Sequence, residues 1–220
     1  MLPINKKEVP GALLKATGRI KTTPDATLTW ENLDASEKRE VLLSLVEEQG
    51  SLCAYCMRKI KDSDAHVEHY IPQSKTVGLN DSVSVDYQNL LAVCDGFEGS
   101  EAGLTCDRAR GNASLKVNPL REETLRSICY RRDGVIYAKN EEINTDLDKT
   151  LNLNQKLLVR NRKEALQALV RKLDQLGRRK GSSAVRGYCE RYITSHLKYS
   201  DLRVPYDGIV LYFMKKRLRS

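Results

Sequence analysis

The sequence has 220 residues, of which 40% are hydrophobic and 30% are charged, and its formal net charge is +8 at pH 7. A chain of this length can bury a core without disulfides, so small size does not explain its six cysteines. No run of about 20 apolar residues could cross a membrane, and no signal-peptide pattern is present, which favours a soluble protein of the reducing cytoplasm. In that compartment, paired cysteines indicate metal binding before disulfides.

The positive charge is concentrated in the second half of the chain. Residues 111–220 hold 24 of the 37 Lys and Arg residues but only 12 of the 29 Asp and Glu residues. Lysines and arginines that neutralise phosphates release condensed counterions, so this half predicts nucleic acid as a partner. The alternative is a solvated basic surface without such a partner.

The first predicted elements are an irregular arm and a helix. Residues 1–30 contain three of the six prolines and no clear hydrophobic period, which predicts an irregular arm that could dock on a partner. From Asp34 the pattern becomes helical, because Asp34 and Glu37 can form a capping box and apolar residues then recur at helical spacing. This helix is expected to end near Gly50.

The C-terminal region, residues 119–220, is predicted to be a basic and mainly helical lobe. A short hairpin is expected around residues 132–137. Apolar residues then recur at helical spacing: Leu158, Ala165, Leu166, Leu169, Leu173 and Leu176. A last helix is expected over roughly 182–199.

Three consecutive basic residues lie between Gly177 and Gly181: Arg178, Arg179 and Lys180. We call these three residues the basic cluster. Glycines commonly follow helix ends, so the pattern predicts a helix end with an exposed basic loop. The basic cluster is the predicted nucleic-acid-binding segment.

The chain offers a complete set of four thiolate ligands: Cys53, Cys56, Cys94 and Cys106. Two residues between Cys53 and Cys56 allow one tight turn to present both sulfurs to a tetrahedral ion, as in a zinc knuckle. Cys94 and Cys106 can supply the other half of a closed structural zinc site. The alternative is four buried free cysteines. Cys129 and Cys189 lack close partners and are interpreted as core thiols.

Between the cysteine pairs lies the stretch His66-Val67-Glu68-His69. A histidine can take a proton from water near neutral pH, and a neighbouring carboxylate can hold a hard divalent cation that polarises a phosphate oxygen. This combination favours phosphodiester hydrolysis. His66 would lie on the same side of a strand as Glu68, and either a supporting role or a packing role fits it.

Several motifs together resemble the ββα-metal or HNH nucleases. In chain order they are Cys53-x-x-Cys56, Glu68-His69-x-x-Pro72, Asp86-x-x-Asn89-Leu90, Cys94 and Cys106-Asp107. The resemblance implies that His69 is the general base and that Asn89 orients it. It also implies that a catalytic Mg²⁺ or Mn²⁺ is bound by Glu68 and Asp107. Asp107 stands where His or Asn is usual, so Asn112 is the alternative ligand.

A longer pattern is similar to the PtuB-type HNH proteins of Septu and retron anti-phage systems. It adds Gln49-x-x-Leu52, Gly111-Asn112 and Leu151-Asn152-Leu153-Asn154 to the motifs above. The resemblance implies a PtuA-type ABC ATPase as partner and, in retron versions, a reverse transcriptase with its RNA–DNA product.

The expected architecture is α+β, with a helical N-terminal region, a small zinc-stabilised ββα-metal core and a basic, mainly helical C-terminal lobe. The expected boundaries are 1–30 for the irregular arm, 31–118 for the nuclease core with its zinc site and 119–220 for the lobe. The expected function is that of a metal-dependent HNH endonuclease that cleaves DNA or tRNA in anti-phage defence. A catalytically inactive, zinc-stapled nucleic-acid-binding or adaptor subunit is the alternative.

Overall fold

The computed structural model describes residues 1–75, 81–98, 101 and 103–219, and within these ranges the protein is an α+β structure. The α-helices are α1 (Gly11–Thr22), α2 (Ala35–Glu48), α3 (Cys106–Arg110), α4 (Glu122–Leu125), α5 (Glu141–Thr145), α6 (Lys156–Lys198) and α7 (Asp207–Leu218). The strands are β1 (Ala65–His69), β2 (Leu90–Cys94), β3 (Ile128–Tyr130) and β4 (Ile136–Ala138).

The central sheet consists of β1 and β2, which pair antiparallel from Ala65 opposite Cys94 to His69 opposite Leu90. All five residues of β2 are buried, which agrees with its continuous apolar run. Helices α2 and α3 both contact β2. The sheet therefore carries the polar residues of β1 on a rigid and largely buried support.

Helix α2 confirms the predicted capping box and the predicted end near Gly50. Glu37 Oε2 accepts a hydrogen bond from the backbone nitrogen of Asp34 at 2.7 Å. The chain leaves the helix through Gly50, which has φ +69°, and a Cβ there would lie 2.0 Å from the carbonyl oxygen of Ser200. Only glycine allows this approach without displacing the backbone.

The prediction of an irregular arm over residues 1–30 is wrong, because this segment contains α1 and packs into the core. The buried residues of α1 recur at helical spacing: Ala12, Leu13, Ala16 and Ile20. Pro10 immediately precedes the helix and Pro24 follows it, so these prolines mark its ends, where proline is tolerated. Lys6 and Glu48 also form a buried ion pair at 2.7 Å, which fastens the segment to α2.

The predicted hairpin is confirmed by the antiparallel pairing of β3 with β4. Its turn contains Gly134, which has φ +97° and packs closely against the backbone of Val159 in α6. The predicted helical stripe is confirmed as well, since Leu158, Leu166, Leu169 and Leu173 are buried along α6.

The predicted exposed loop at the basic cluster is wrong, although its three residues are exposed. The helix continues through Gly177, so the basic cluster is helical, and α6 breaks only at Gly181, with φ +81° and ψ 176°. Helix α7 has no counterpart among the predicted elements, and it packs against α6. Among the helices that the structure describes, none combines the length and apolar character needed to cross a membrane.

Candidate metal and catalytic site

The four predicted cysteine ligands come together as one buried cluster. Their sulfur atoms lie within 4.8 Å of one another, and the distances are 3.8 Å for Cys53–Cys106, 3.7 Å for Cys56–Cys94 and 3.7 Å for Cys94–Cys106. Sulfurs placed tetrahedrally about 2.3 Å from a zinc ion are about 3.8 Å apart, whereas a disulfide requires about 2.05 Å. The cluster could therefore bind a metal ion such as zinc.

Three separate segments supply these thiols. Cys53 and Cys56 lie in a tight turn, in which the backbone nitrogen of Met57 donates to the carbonyl of Cys53 at 3.0 Å. Cys94 ends β2, and Cys106 begins α3. The cluster thus ties the knuckle, the sheet and α3 together.

Glu68 is held by a buried hydrogen-bond network on one side of β1. Its Oε1 accepts a hydrogen bond from the hydroxyl of Tyr55 at 3.0 Å and one from Nη1 of Arg110. The Arg110 side chain is fully buried and also donates to backbone carbonyls, with 2.6 Å to Tyr70 and 2.8 Å to Ala113. These bonds fix the Glu68 carboxyl group relative to both β1 and α3.

Asp107 lies beside Glu68 and is paired with His66. His66 Nε2 and Asp107 Oδ2 are 2.7 Å apart, and the carboxyl groups of Glu68 and Asp107 are within hydrogen-bonding reach of each other. Asn112, the alternative ligand, lies on the exposed turn beyond α3. The described contacts therefore connect Asp107 to Glu68.

The proximity of the two carboxyl groups changes their protonation. Burial and the neighbouring Asp107 raise the pKa of Glu68 to about 8, although Arg110 opposes this change. Burial also acts to raise the pKa of Asp107, but hydrogen bonds with His66 and Glu68 outweigh it and lower that pKa below its usual value. Two carboxyl groups within hydrogen-bonding reach of each other are stable when either a proton or a cation lies between them.

His69 lies at the end of β1 and points away from Glu68, because neighbouring strand residues face opposite sides. Its Nε2 is 2.9 Å from the carbonyl oxygen of Ser84, and its ring lies 5.3 Å from the Trp30 ring in an edge-on arrangement. Burial lowers the pKa of His69, which favours the neutral imidazole.

Asn89 holds the backbone next to His69. Its Oδ1 accepts from the nitrogen of Ile71 at 2.7 Å, and its Nδ2 donates to the carbonyls of Ile71 and Val83 at 3.2 Å each. These described bonds join the strand end to the Asp81–Val85 turn. They hold the backbone just after His69 and the turn that carries Ser84, and they do not involve the imidazole.

The catalytic candidates form a smaller ligand set than the cysteines do. Among the residues that the structure describes, the cysteine cluster is the one group in which three or more candidate ligand atoms gather within 4.8 Å. Glu68 and Asp107 provide two candidate carboxylate ligands.

Sequence reasoning missed Tyr55, Arg110, Ser84 and Trp30 as neighbours of the candidate site. Tyr55 falls inside the Cys53-x-x-Cys56 knuckle, and Arg110 follows Asp107 by one helical turn on α3. Because both residues lie close in the chain to the predicted ligands, the sequence offered a signal that could have identified them as neighbours of the site. Trp30 and Ser84 carried none, because both reach His69 only through tertiary packing.

No known protein-family model matches this chain, and no curated protein matches it either.

Proposed function

We propose that this protein is a metal-dependent HNH-type nuclease that hydrolyses phosphodiester bonds in nucleic acid. The observation that carries the proposal is the pairing of Glu68 with Asp107 at the end of the same strand that bears His69. The two carboxylates on one face of β1 would supply a cation site, and the neutral histidine at the next position along the strand would supply a proton acceptor. Metal-dependent hydrolysis of a phosphodiester uses both functions.

Glu68 and Asp107 would hold the catalytic Mg²⁺ or Mn²⁺. Hard divalent cations prefer oxygen ligands, and the two carboxyl groups are close enough that a cation between them would relieve their repulsion. The bonds from Tyr55 and Arg110 described above use only Oε1 of Glu68. When bound, the cation would supply Lewis-acid stabilisation of charge on the scissile phosphate and the leaving oxygen.

His69 would act as the general base through Nδ1. A carbonyl oxygen only accepts hydrogen bonds, so the contact with Ser84 requires the proton to be on Nε2 of His69. The lone pair of the neutral ring is then on Nδ1, which can take a proton from the attacking water. Asn89 contributes by holding the backbone that follows the histidine and the turn that carries Ser84.

The surrounding architecture supports an HNH assignment. The antiparallel pair β1 and β2 is followed by α3, and the four-thiol cluster joins β2 and α3 to the Cys53–Cys56 turn. We propose that this unit is a ββα-metal core and that zinc is the structural ion. The exposed basic cluster on α6 would contact the phosphate backbone of the substrate.

The biological setting rests on the motif resemblance to PtuB-type proteins alone. On that basis, we propose a role in anti-phage defence with DNA or tRNA as substrate. A PtuA-type ABC ATPase would be the partner and, in a retron, a reverse transcriptase with its RNA–DNA product would join them.

The second candidate function is an inactive, zinc-stapled adaptor that only binds nucleic acid. One observation favours it: the cysteine cluster is a complete ligand set, whereas the catalytic pair consists of two carboxylates already bonded to Arg110 and His66. In that case, the pair would serve only to join β1 to α3.

The test is cleavage of plasmid DNA and of total tRNA with Mg²⁺ or Mn²⁺, with and without chelator, by the protein alone and with its ATPase. We expect His69→Ala to lower cleavage by roughly 10²–10⁴-fold with unchanged zinc content. As a matched control, His196→Gln replaces another buried histidine, which bonds to Asp207 at 2.7 Å. This control should lower the melting temperature and preserve cleavage.

Two outcomes would contradict the proposal. A zinc-loaded His69→Ala protein that cuts at the wild-type rate would remove the general base from the mechanism. Absence of cleavage by the wild-type protein under every condition, including the presence of the ATPase, would favour the adaptor.

A further inference from the structure

We propose that Trp30 is a positioning residue for His69, so that the segment before α2 completes the active site. This inference rests on the proposed function, because it assigns Trp30 the task of orienting the general base. The segment before α2 would then contribute to catalysis in a way that neither the cysteine cluster nor the carboxylate pair does.

The first observation is the contact between the two rings. The Trp30 and His69 ring centroids are 5.3 Å apart and the ring planes are 81° apart, which is an edge-on arrangement. Such aromatic pairs prefer this geometry because the electron-poor edge of one ring meets the electron-rich face of the other. The contact restricts rotation of the imidazole about its side-chain bonds.

The second observation is that one residue connects both partners. The carbonyl oxygen of Ser84 accepts the hydrogen bond of His69 Nε2 at 2.9 Å, and the hydroxyl of Ser84 accepts one from the backbone nitrogen of Trp30 at 2.9 Å. The imidazole is therefore held by a hydrogen bond from the Asp81–Val85 turn and by a ring contact from the segment before α2.

These two contacts have complementary effects. The Ser84 carbonyl selects the tautomer with the proton on Nε2, and Gln73 Nε2 lies 3.5 Å from the same nitrogen. Contacts at one ring nitrogen still leave the ring able to tilt about it. The Trp30 ring, packed edge-on with the imidazole, limits that tilt. Together they keep Nδ1 in one direction, and orientation of a reacting group is worth large factors in rate.

The first experiment measures the tautomer of His69 by nitrogen-15 NMR at about pH 8, where an imidazole with an ordinary pKa is neutral. The chain has three histidines, so loss of one signal in His69→Ala identifies it. We expect a single Nε2-protonated tautomer in the wild type and in Trp30→Phe. In Trp30→Ala the ring can tilt away from the Ser84 carbonyl that selects this tautomer, so we expect a mixture. Leu28→Ala is the matched control, because Leu28 is also half-buried against the core in the same segment.

The second experiment measures cleavage kinetics at saturating Mn²⁺. Trp30→Ala should lower kcat by about 10–100-fold with little change in KM or zinc content, the loss expected from a misplaced reacting group. Trp30→Phe keeps an aromatic edge and should retain most of the activity. Leu28→Ala should retain all of it.

The proposal is overturned if Trp30→Ala keeps the wild-type tautomer and kcat. It is also overturned if Leu28→Ala loses as much kcat as Trp30→Ala, since Trp30 would then contribute only general packing. The tautomer measurement requires no turnover, so it decides the inference even if the wild-type protein proves not to be a nuclease. If His69→Ala abolishes cleavage and Trp30→Ala leaves it intact, the inference fails and the nuclease assignment stands.

Discussion

The cysteine cluster makes the most direct prediction, because its geometry is that of a tetrahedral thiolate site. Cys94→Ser removes one of the four sulfurs and replaces it with an oxygen that is a poorer ligand for zinc. The matched control is Cys189→Ser, which changes another fully buried cysteine that lies outside the cluster. Both variants lose a buried thiol, and only Cys94→Ser loses a candidate metal ligand.

The magnitude follows from how the ion is linked to folding. Metal binding by a four-thiolate site contributes on the order of 10–16 kcal/mol in small zinc domains, and a typical domain has a net stability of about 5–15 kcal/mol. Here the cluster joins the Cys53 knuckle, β2 and α3, which share one core. Loss of the ion therefore removes most of the margin that keeps these elements folded, whereas Cys189→Ser should cost about 1–3 kcal/mol.

The assay combines elemental analysis with thermal unfolding. We expect about one zinc per wild-type chain, the same content in Cys189→Ser, and an unfolded or insoluble Cys94→Ser protein. A strong chelator should lower the melting temperature of the wild type. A folded, metal-free wild type, or a Cys94→Ser protein that melts at the wild-type temperature, would refute the reasoning and leave four buried free thiols.

Three further predictions test other parts of the structure. Arg110→Ala removes a fully buried guanidinium that donates to Glu68, Tyr55 and backbone carbonyls, so it should lower the unfolding free energy by about 3–5 kcal/mol in urea titrations. Arg108→Ala breaks an exposed ion pair and should cost about 0–1 kcal/mol, and equal losses would contradict this. Replacing the basic cluster with glutamines should weaken nucleic-acid binding. The slope of log affinity against log salt concentration should become shallower by about one unit for each lost phosphate contact. An unchanged slope would indicate that the basic cluster is only a solvated surface. Gly18 lies at an exposed site in α1 with open space for a Cβ. Gly18→Ala should therefore raise the unfolding free energy by about 1 kcal/mol, and no change would argue against a helix there.

The N-terminal segment, predicted as a docking arm, packs into the core, and this limits what its deletion could test. Leu2 and Ile4 are buried, and Ile4 donates a backbone hydrogen bond to Pro119 at 2.9 Å. Deleting residues 2–24 would therefore remove part of the core together with any docking surface. Substitutions at exposed Leu14 of α1 are the better probe of ATPase binding, because they leave that core in place.

Short-range sequence patterns were sufficient to predict the elements that residues a few positions apart specify. The Asp34–Glu37 capping box, the hairpin at Gly134 and the apolar stripe of α6 each depend on residues a few positions apart, and all three are confirmed. The Cys53-x-x-Cys56 spacing is likewise a local signal, since its two thiols are only three positions apart. One local signal is misleading, because the three prolines and the unclear hydrophobic period of residues 1–30 predict an irregular arm, whereas Pro10 and Pro24 lie just outside the two ends of α1.

Amino-acid sequence alone determined which residues carry chemistry, because thiols, carboxylates and imidazoles have fixed ligand and proton preferences. Only the tertiary structure decided which of them meet. Asp107 pairs with His66 across 41 positions, and Trp30 is bonded to Ser84 across 54. Neither spacing has a local signature, because such contacts arise from the packing of β1, β2, α3 and the segment before α2 around one core. That packing directs Glu68 towards Arg110 and Asp107 and places His69 between Ser84 and Trp30.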